Sequence, residues 1–201
     1  AISIGASGTL ALNRPLLDDY TLANIISGAG SILQQGGNTV TINGNNLAYD
    51  GTITVGSGVI RIGSANALGT AVGGVSISGT GALEITGQTV ADAVQLSSGG
   101  TLRAFSGTSN IVNGIITLSG GGVLDGLNST TLTVNTAIAG TGGLTKAGNG
   151  LAILLADNTY SGGTTISGGT LQIGATAGSG TTGSLPAGDI TFNPASGTAT
   201  L

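Results

Sequence analysis

Residues 143–174 read GLTKAGNGLAILLADNTYSGGTTISGGTLQIG and contain eight glycines, one aromatic side chain and two charged side chains. The apolar residues nevertheless keep a regular order. In the closing GTLQI, Leu171 and Ile173 flank Gln172, so an extended strand places both aliphatic side chains on one face and the glutamine on the other. The stretch therefore predicts short strands separated by glycine-containing turns rather than a flexible linker.

The composition of the whole chain favours an all-β protein. The chain has 201 residues, of which 40 are glycine and only 6% are charged, and its mean hydropathy is +0.43. Intrinsic disorder is excluded because it requires low hydrophobicity and high net charge. Collagen is excluded because the chain has three prolines and no glycine at every third position. The abundant Leu, Ile, Val, Thr and Ser are typical of strands and their turns.

The residue types also limit function. Without cysteine or histidine, the chain lacks the usual soft metal ligands, thiol nucleophiles and imidazole bases, so we predict a non-enzymatic protein with no metal and no cofactor. The net charge of -4 with only four cationic residues predicts no nucleic-acid partner. No long apolar run and no signal-peptide pattern occur, which predicts no direct membrane insertion and a piece of a longer chain.

A short unit of glycine, one spacer and two alternating apolar residues recurs along the chain. It occurs as GTLAL (8–12), GVIRI (58–62), GALEI (81–85), GTLRA (100–104), GVLDG (122–126) and GTLQI (169–173). From Ile60, the first apolar residues follow at steps of 23, 19 and 22, and Leu124 to Leu144 adds 20. A period near twenty residues predicts a parallel β-solenoid of roughly eight to ten coils.

A longer repeat overlies the short one. Residues 28–63 align with 140–174 once one extra residue is allowed before Tyr49, which then matches Tyr160. We predict one β-helical segment over 1–201 with repeat units at 28–63 and 140–174. The two tyrosines are expected to pack over solenoid corners, with their hydroxyls reaching water or backbone.

Glycine-rich motifs in the chain are interpreted as corners. The pairs Asn43-Gly44, Asn113-Gly114 and Asn149-Gly150 predict turns with positive φ. The segment GSGTTG (178–183) satisfies a dinucleotide-binding pattern, but no helix pattern follows it, so we predict a loop. GGGVLDG (120–126) is similar to a calcium-binding repeat, but it does not tile and the chain has few aspartates around it.

Residues 140–174 resemble the passenger-associated transport repeat of bacterial autotransporters, also called the autotransporter-associated β-strand repeat. The matching residues are Gly140, Gly142, Leu144, Lys146, Gly148, Asn158, Tyr160, Gly162, Gly163, Thr164, Gly169, Thr170, Leu171 and Gly174. The copy at 28–63 departs from the pattern, with Gln34 and Gln35 near the place of Lys146.

The resemblance implies a right-handed parallel β-helix within the passenger of a type V secretion protein. Such a passenger is exported across the outer membrane of a Gram-negative bacterium through the C-terminal translocator β-barrel of the same parent chain, and it is presented at the cell surface or secreted. The expected function is a structural segment that supports translocation, folding and surface presentation. The alternative is an adhesin segment that itself binds host or bacterial surface molecules and so mediates adhesion or self-association.

Four charged residues occupy the outward place between or beside the inward aliphatics. Arg61, Glu84, Arg103 and Asp125 alternate in sign along the chain. If their strands are consecutive rungs, the side chains form a solvent-exposed charge ladder that fixes rung register.

The other acids are interpreted as solvated turn residues. A carbohydrate-active enzyme on this fold would need two outward carboxylates within about 10 Å in a groove, and only Glu84 and Asp125 share a strand register. The remaining acids are Asp18, Asp19, Asp50, Asp92, Asp157 and Asp189. Pairs of the form Thr-x-Thr occur at 39–41, 52–54 and 131–133, but they do not recur at the coil period, which disfavours an ice-binding face.

Overall fold

A computed structural model describes residues 1–175, 183–194 and 198–201. All regular structure in these residues is β-strand, and the strands stack into a solenoid of about eight turns. The predicted all-β solenoid is therefore confirmed. Most of the glycine motif at 178–183 lies outside the described residues.

The first three turns contain three strands each: β1 (Ile2–Ser3), β2 (Thr9–Leu12), β3 (Tyr20–Leu22), β4 (Ile26–Gly28), β5 (Ser31–Gln34), β6 (Thr39–Ile42), β7 (Ala48–Tyr49), β8 (Ile53–Val55) and β9 (Val59–Ile62). The next three turns contain β10 (Val75–Ser78), β11 (Ala82–Thr86), β12 (Thr89–Val90), β13 (Val94–Ser97), β14 (Thr101–Ser106), β15 (Asn110–Val112), β16 (Ile116–Ser119), β17 (Gly122–Gly126) and β18 (Thr131–Val134). The last turns contain β19 (Ile138–Gly140), β20 (Leu144–Ala147), β21 (Leu151–Leu154), β22 (Thr164–Ile166), β23 (Gly169–Ile173), β24 (Ile190–Phe192) and β25 (Ala199–Thr200).

The strands form four parallel sheets. Sheet A is β1-β4-β7, sheet B is β2-β5-β8-β10-β13-β16-β19, sheet C is β3-β6-β9-β11-β14-β17-β20-β22-β24, and sheet D is β12-β15-β18-β21-β23-β25. Sheets A and D occupy the same place in the coil, between a strand of sheet C and the next strand of sheet B. Each turn therefore has three sides. The short unit is not confined to one side, since GTLAL lies in sheet B and GTLQI lies in sheet D.

The core is a set of stacked aliphatic columns. In sheet C the inward column contains Ile60, Leu83, Leu102 and Leu124, which pair in register on successive strands and are fully buried. Each such side chain contributes about 1.5–3 kcal/mol when it is fully removed from water. The predicted continuation of this column from Leu124 to Leu144 is wrong. Leu144 pairs with Gly122, and the residue opposite Leu124 is Lys146.

The prediction of positive φ at the three Asn-Gly pairs is also wrong. The left-handed backbone conformation occurs at other glycines, including Gly28 (φ 98°) and its repeat counterpart Gly140 (φ 114°). Gly114 shows why glycine is still needed at an Asn-Gly pair: a Cβ there would collide with the main-chain oxygen of Asp92 on the neighbouring turn. Close stacking of rungs, rather than the turn conformation, therefore requires this glycine.

Candidate functional site

Each of the two repeats stacks on itself. In the first repeat, β5 pairs with β8 and β6 pairs with β9. In the second repeat, β20 pairs with β22 and β21 pairs with β23. One repeat therefore supplies two successive layers of two adjacent sheets, and the second half of a repeat finds its parallel partner in the first half.

The two repeats lie on different sides of the solenoid. The strands of the first repeat belong to sheets B and C, whereas those of the second belong to sheets C and D. The second repeat is therefore rotated by one side relative to the first. One sequence pattern can serve on different sides because each side of the solenoid needs the same features, an inward row of aliphatic residues followed by a tight corner.

A buried asparagine in each repeat connects three successive turns. The side-chain oxygen of Asn46 accepts the N–H of Ile26 at 2.8 Å, and its amide donates to the carbonyl of Ala67 at 2.7 Å. Asn158 repeats the arrangement: it accepts the N–H of Ile138 at 3.0 Å and donates to the carbonyl of Ser184 at 2.7 Å. These side-chain amides provide hydrogen-bond partners for backbone N–H and C=O groups that would otherwise be buried at the corners without partners.

The matched tyrosines are core residues. Tyr49 and Tyr160 are both fully buried, and burial raises the pKa of Tyr49 to about 12. The Tyr49 hydroxyl donates to the carbonyl of Thr52 at 2.9 Å, as expected for a backbone partner. The Tyr160 hydroxyl instead shares a hydrogen bond of 2.6 Å with the Thr164 hydroxyl. Neither side chain is available to bind a ligand.

Lys146 is a buried cation inside an aliphatic column. Its ammonium donates to the carbonyls of Ala147, Gly148 and Gly168 at 2.6, 3.0 and 3.1 Å. Burial lowers its pKa to about 8, and the charge of Asp125 opposes that shift. The counterpart in the first repeat is Gln34, which is also fully buried and donates to the Asn38 carbonyl at 2.9 Å.

Both residues therefore use a long polar side chain to satisfy corner carbonyls from within the core. The lysine satisfies three carbonyls, whereas the side-chain oxygen of Gln34 is buried without a hydrogen-bond partner in the described structure. An ammonium offers donors only, which matches a corner lined by acceptors.

The remaining matched residues set the backbone path or fill the core. Leu144 and Leu171 point inward and are buried, and Gly169 and Gly174 have positive φ. At Gly142 and Gly162 a Cβ would collide with the backbone nitrogens of Gly121 and Gly143 on adjacent turns. The repeat residues thus act on stacking and turn geometry.

The four alternating charges lie side by side on sheet C. Arg61 Nη2 lies 2.8 Å from Glu84 Oε2, Arg103 Nη1 lies 3.0 Å from Glu84 Oε1, and Arg103 Nε lies 2.6 Å from Asp125 Oδ2. The ladder is less exposed than expected, since Glu84 is 3% and Asp125 is 8% exposed. The longer arginine side chains cover the acids, and Arg61 lies over the Phe105 ring at 3.8 Å.

These two carboxylates do not form a hydrolytic pair. The guanidinium of Arg103 lies between them and bonds to both, so the space a glycosidic bond would need is filled. The described residues contain no cluster of three or more His, Cys, Asp or Glu that could hold a metal ion. Asp125, the acid of GGGVLDG, is bonded to an arginine.

The sequence patterns also missed buried polar residues outside the two repeats, among them Asn110 and Asp92. Asn110 is fully buried outside both repeats; it accepts the N–H of Gly87 at 2.8 Å and donates to the carbonyl of Thr131 at 2.9 Å. Asp92 is only 6% exposed, so its interpretation as a solvated turn residue is wrong. Asn110 precedes an apolar pair after a turn, but no repeat counterpart marks it in the sequence.

The buried Asp92 makes the stability of the solenoid depend on pH. Burial raises its pKa from 3.8 to about 6. Because the folded-state pKa is above the unfolded-state value, this contribution to stability is full below pH 4 and is lost as the pH rises through 6. We expect Asp92→Asn to increase the free energy of unfolding by about 2 kcal/mol at pH 7 and to change it little at pH 4. Urea unfolding at both pH values measures this, and an equal effect at both would contradict the assignment.

The family comparison agrees with the geometry. The model of the passenger-associated-transport-repeat matches residues 32–62 and 144–173, which lie within the two self-stacking units, so the resemblance is confirmed. No curated protein and no solved structure matches the chain. In the described part of the chain, no helix has the length and apolarity needed to cross a membrane. Two segments of the chain thus match the passenger-associated-transport-repeat, which is consistent with a segment of an autotransporter passenger.

Proposed function

We propose that this segment is a structural stem that drives folding of the passenger as it leaves the outer membrane and presents more distal regions at the cell surface. The parent chain supplies a translocator domain as the export partner, and the segment is secreted or displayed by a Gram-negative bacterium. The repeat family is a structural one, and no chemistry is assigned to the segment. The observation that carries this proposal is the self-stacking of each repeat.

Self-stacking gives an emerging chain an immediate template. A lone strand cannot bury its apolar side, and a solenoid turn is stable only on a neighbour. When residues 144–173 have emerged, β22 and β23 already have β20 and β21 to pair with. Folding can therefore begin within one repeat and continue turn by turn. The folded turns then disfavour movement of the chain back across the outer membrane. The absence of cysteine also avoids disulfides that would form before export.

Surface display of the parent protein tests the proposal. Residues 138–174 are deleted, and display is measured on intact cells with an antibody against an upstream epitope, together with cell adhesion per displayed molecule. The matched control deletes residues 94–137, which removes two whole turns without touching either repeat. Ile138 then follows Ala93 in place of Val94, and this preserves register because Val94, Ile116 and Ile138 are equivalent positions.

We expect the repeat deletion to reduce display at least fivefold and the control deletion to preserve most of it. Equal display of both variants would overturn the proposal. If display persists while adhesion per molecule falls in the repeat deletion, the alternative of an adhesive surface replaces the stem.

A further inference from the structure

The three Asn-Gly corners differ in the hydrogen bonding of the glycine N–H. Gly114 donates to the carbonyl of Val90 at 3.2 Å, and Gly150 donates to the carbonyl of Gly126 at 2.8 Å. Both acceptors lie on the preceding turn, so these two N–H groups are held in the stack. In the part of the chain that the structure describes, the N–H of Gly44 has no backbone acceptor. The first Asn-Gly corner therefore has a glycine nitrogen that the stack does not hold.

The asparagine side chains at these corners face solvent. Asn43, Asn113 and Asn149 are all exposed. The side-chain oxygen of Asn113 accepts a hydrogen bond from the side chain of Asn135 at 2.8 Å. The side-chain oxygen of Asn43 instead lies against Gly63 on the next turn, where a Cβ would collide with it. Asn43 thus combines an exposed side chain with a following N–H that makes no backbone hydrogen bond.

We propose that Asn43 is a site of spontaneous deamidation through the backbone nitrogen of Gly44. This nitrogen loses its proton and attacks the side-chain carbonyl carbon of Asn43. The bond between that carbon and the side-chain nitrogen breaks, ammonia leaves, and a cyclic succinimide remains. Water then opens the ring at either carbonyl and gives aspartate or isoaspartate at position 43. The reaction consumes water, releases ammonia and needs no oxidant or cofactor.

Loss of the glycine amide proton decides which corner reacts. An N–H that is bonded within a stack loses its proton only when the structure opens locally, as in hydrogen exchange. Gly114 and Gly150 meet this requirement, whereas Gly44 has no backbone hydrogen bond to break. Ring closure is favoured because the nitrogen and the carbonyl carbon belong to adjacent residues. Glycine also has no side chain that would shield the nitrogen.

Isoaspartate at position 43 disturbs the buried Asn46. The main chain then runs through the side-chain carbons of residue 43, which lengthens it by a methylene group before Gly44. The packing around Gly44 is tight, since a Cβ there would collide with the carbonyl oxygen of Asn24 and with Asn46 Oδ1. That same oxygen accepts the N–H of Ile26 at 2.8 Å. Isoaspartate formation therefore weakens the side-chain bridge that connects three turns of the first repeat.

The modification is confined to the first repeat. In the alignment of 28–63 with 140–174, the residues equivalent to Asn43 and Gly44 are Leu155 and Ala156. The first repeat therefore carries a slow chemical change that loosens it with time after folding, whereas the second repeat does not. This inference does not depend on the export role, since it concerns the chain after it has folded.

Ageing of the purified, folded protein tests the site. The protein is incubated at neutral pH and physiological temperature in water labelled with heavy oxygen. Aspartate and isoaspartate at positions 43, 113 and 149 are then quantified by mass spectrometry of the digest. The matched control is the same chain unfolded in guanidinium chloride, because all three asparagines are then followed by a glycine with no structural hydrogen bond.

We expect Asn43 to convert at least tenfold faster than Asn113 or Asn149 in the folded protein, and the three to convert at similar rates in the unfolded chain. Conversion at Asn43 that is no faster than at the other two positions of the folded protein would overturn the proposal. So would the absence of conversion at Asn43 over a period in which the unfolded chain converts.

Hydrogen exchange at the Ile26 amide tests the structural consequence. The aged isoaspartate form is separated by ion exchange, and Asn43→Ser, which lacks the reactive amide, is aged in parallel. We expect Ile26 to exchange at least tenfold faster in the isoaspartate form and to be unchanged in Asn43→Ser. Asn43→Asp adds the charge without the extra methylene and should accelerate exchange less. Equal exchange in the isoaspartate form and in aged Asn43→Ser would overturn the link to Asn46.

Discussion

Glu84→Gln should lower the free energy of unfolding by about 2–4 kcal/mol, because it removes the shared anion of a buried ion ladder. Glu84 is 3% exposed and is bonded to Arg61 and Arg103 on the strands to either side. Without its charge, two guanidiniums remain on nearby rungs, and the substituted amide presents donors towards donors. Urea unfolding followed by circular dichroism measures the loss.

Asp18→Asn is the matched control, because it removes an acid from an arginine pair of similar length in an exposed setting. The Arg14 and Asp18 side chains are 47% and 46% exposed, and such pairs contribute about 0–1 kcal/mol. We expect Glu84→Gln to lower the free energy of unfolding clearly more than this control does. If the two substitutions cost the same, burial of the ladder contributes nothing to stability.

Asn158→Ala and Asn46→Ala should each destabilise the solenoid by about 2–3 kcal/mol, because each substitution leaves buried backbone groups on two neighbouring turns without hydrogen-bond partners. The alanine leaves the N–H of Ile138 or of Ile26 without its acceptor. The loss is local, so hydrogen exchange at those two amides is the most direct readout. Both should exchange at least tenfold faster in the respective variant.

The aspartate variant of Asn158 separates the effect of hydrogen bonding from that of packing. Asn158→Asp keeps the shape and the acceptor but cannot donate to Ser184 while it is ionised, so it should be unstable at pH 7 and partly recover at pH 4. Asn45→Ala is the control, because Asn45 is exposed and its side-chain oxygen accepts a hydrogen bond from the side chain of Asn66. A cost for Asn45→Ala equal to that of Asn46→Ala would contradict the special role of the buried amide.

Much of the fold could be predicted because the inward pattern is local. The alternation in GTLQI and the period near twenty residues depend on neighbours in the chain, and both report directly on strand faces and coil length. The charges of Arg61, Glu84, Arg103 and Asp125 could likewise be placed on one row, since their spacing follows the aliphatic column beside them.

The features that could not be predicted depend on contacts between turns. Lysine is usually an exposed residue, but the register places Lys146 opposite Leu124 inside the core. Backbone carbonyls of two turns surround its ammonium there. Asn110 connects turns as Asn46 does, yet nothing in its local sequence distinguishes it from an exposed turn residue. Glu84 is bonded to arginines that lie 23 and 19 positions away in the chain, and a local sequence pattern does not report such contacts.

The rotation of the second repeat by one side has the same origin. Both repeats encode the same pattern of strands, but the number of residues between the two repeats decides which sheets those strands join. A sequence alignment of the two copies does not report which sides of the solenoid each copy occupies. The similarity of the three sides explains why one family pattern serves at both positions.

We propose that the solenoid begins to form within each repeat, because the second half of a repeat stacks on its first half. Pulse-labelled hydrogen exchange during refolding tests it most directly, with protection of each strand followed in time. We expect amides of β20 to β23, and those of β5, β6, β8 and β9, to gain protection before amides of β10, β13 and β16. Earlier protection of those three middle strands, or simultaneous protection of all strands, would contradict the claim.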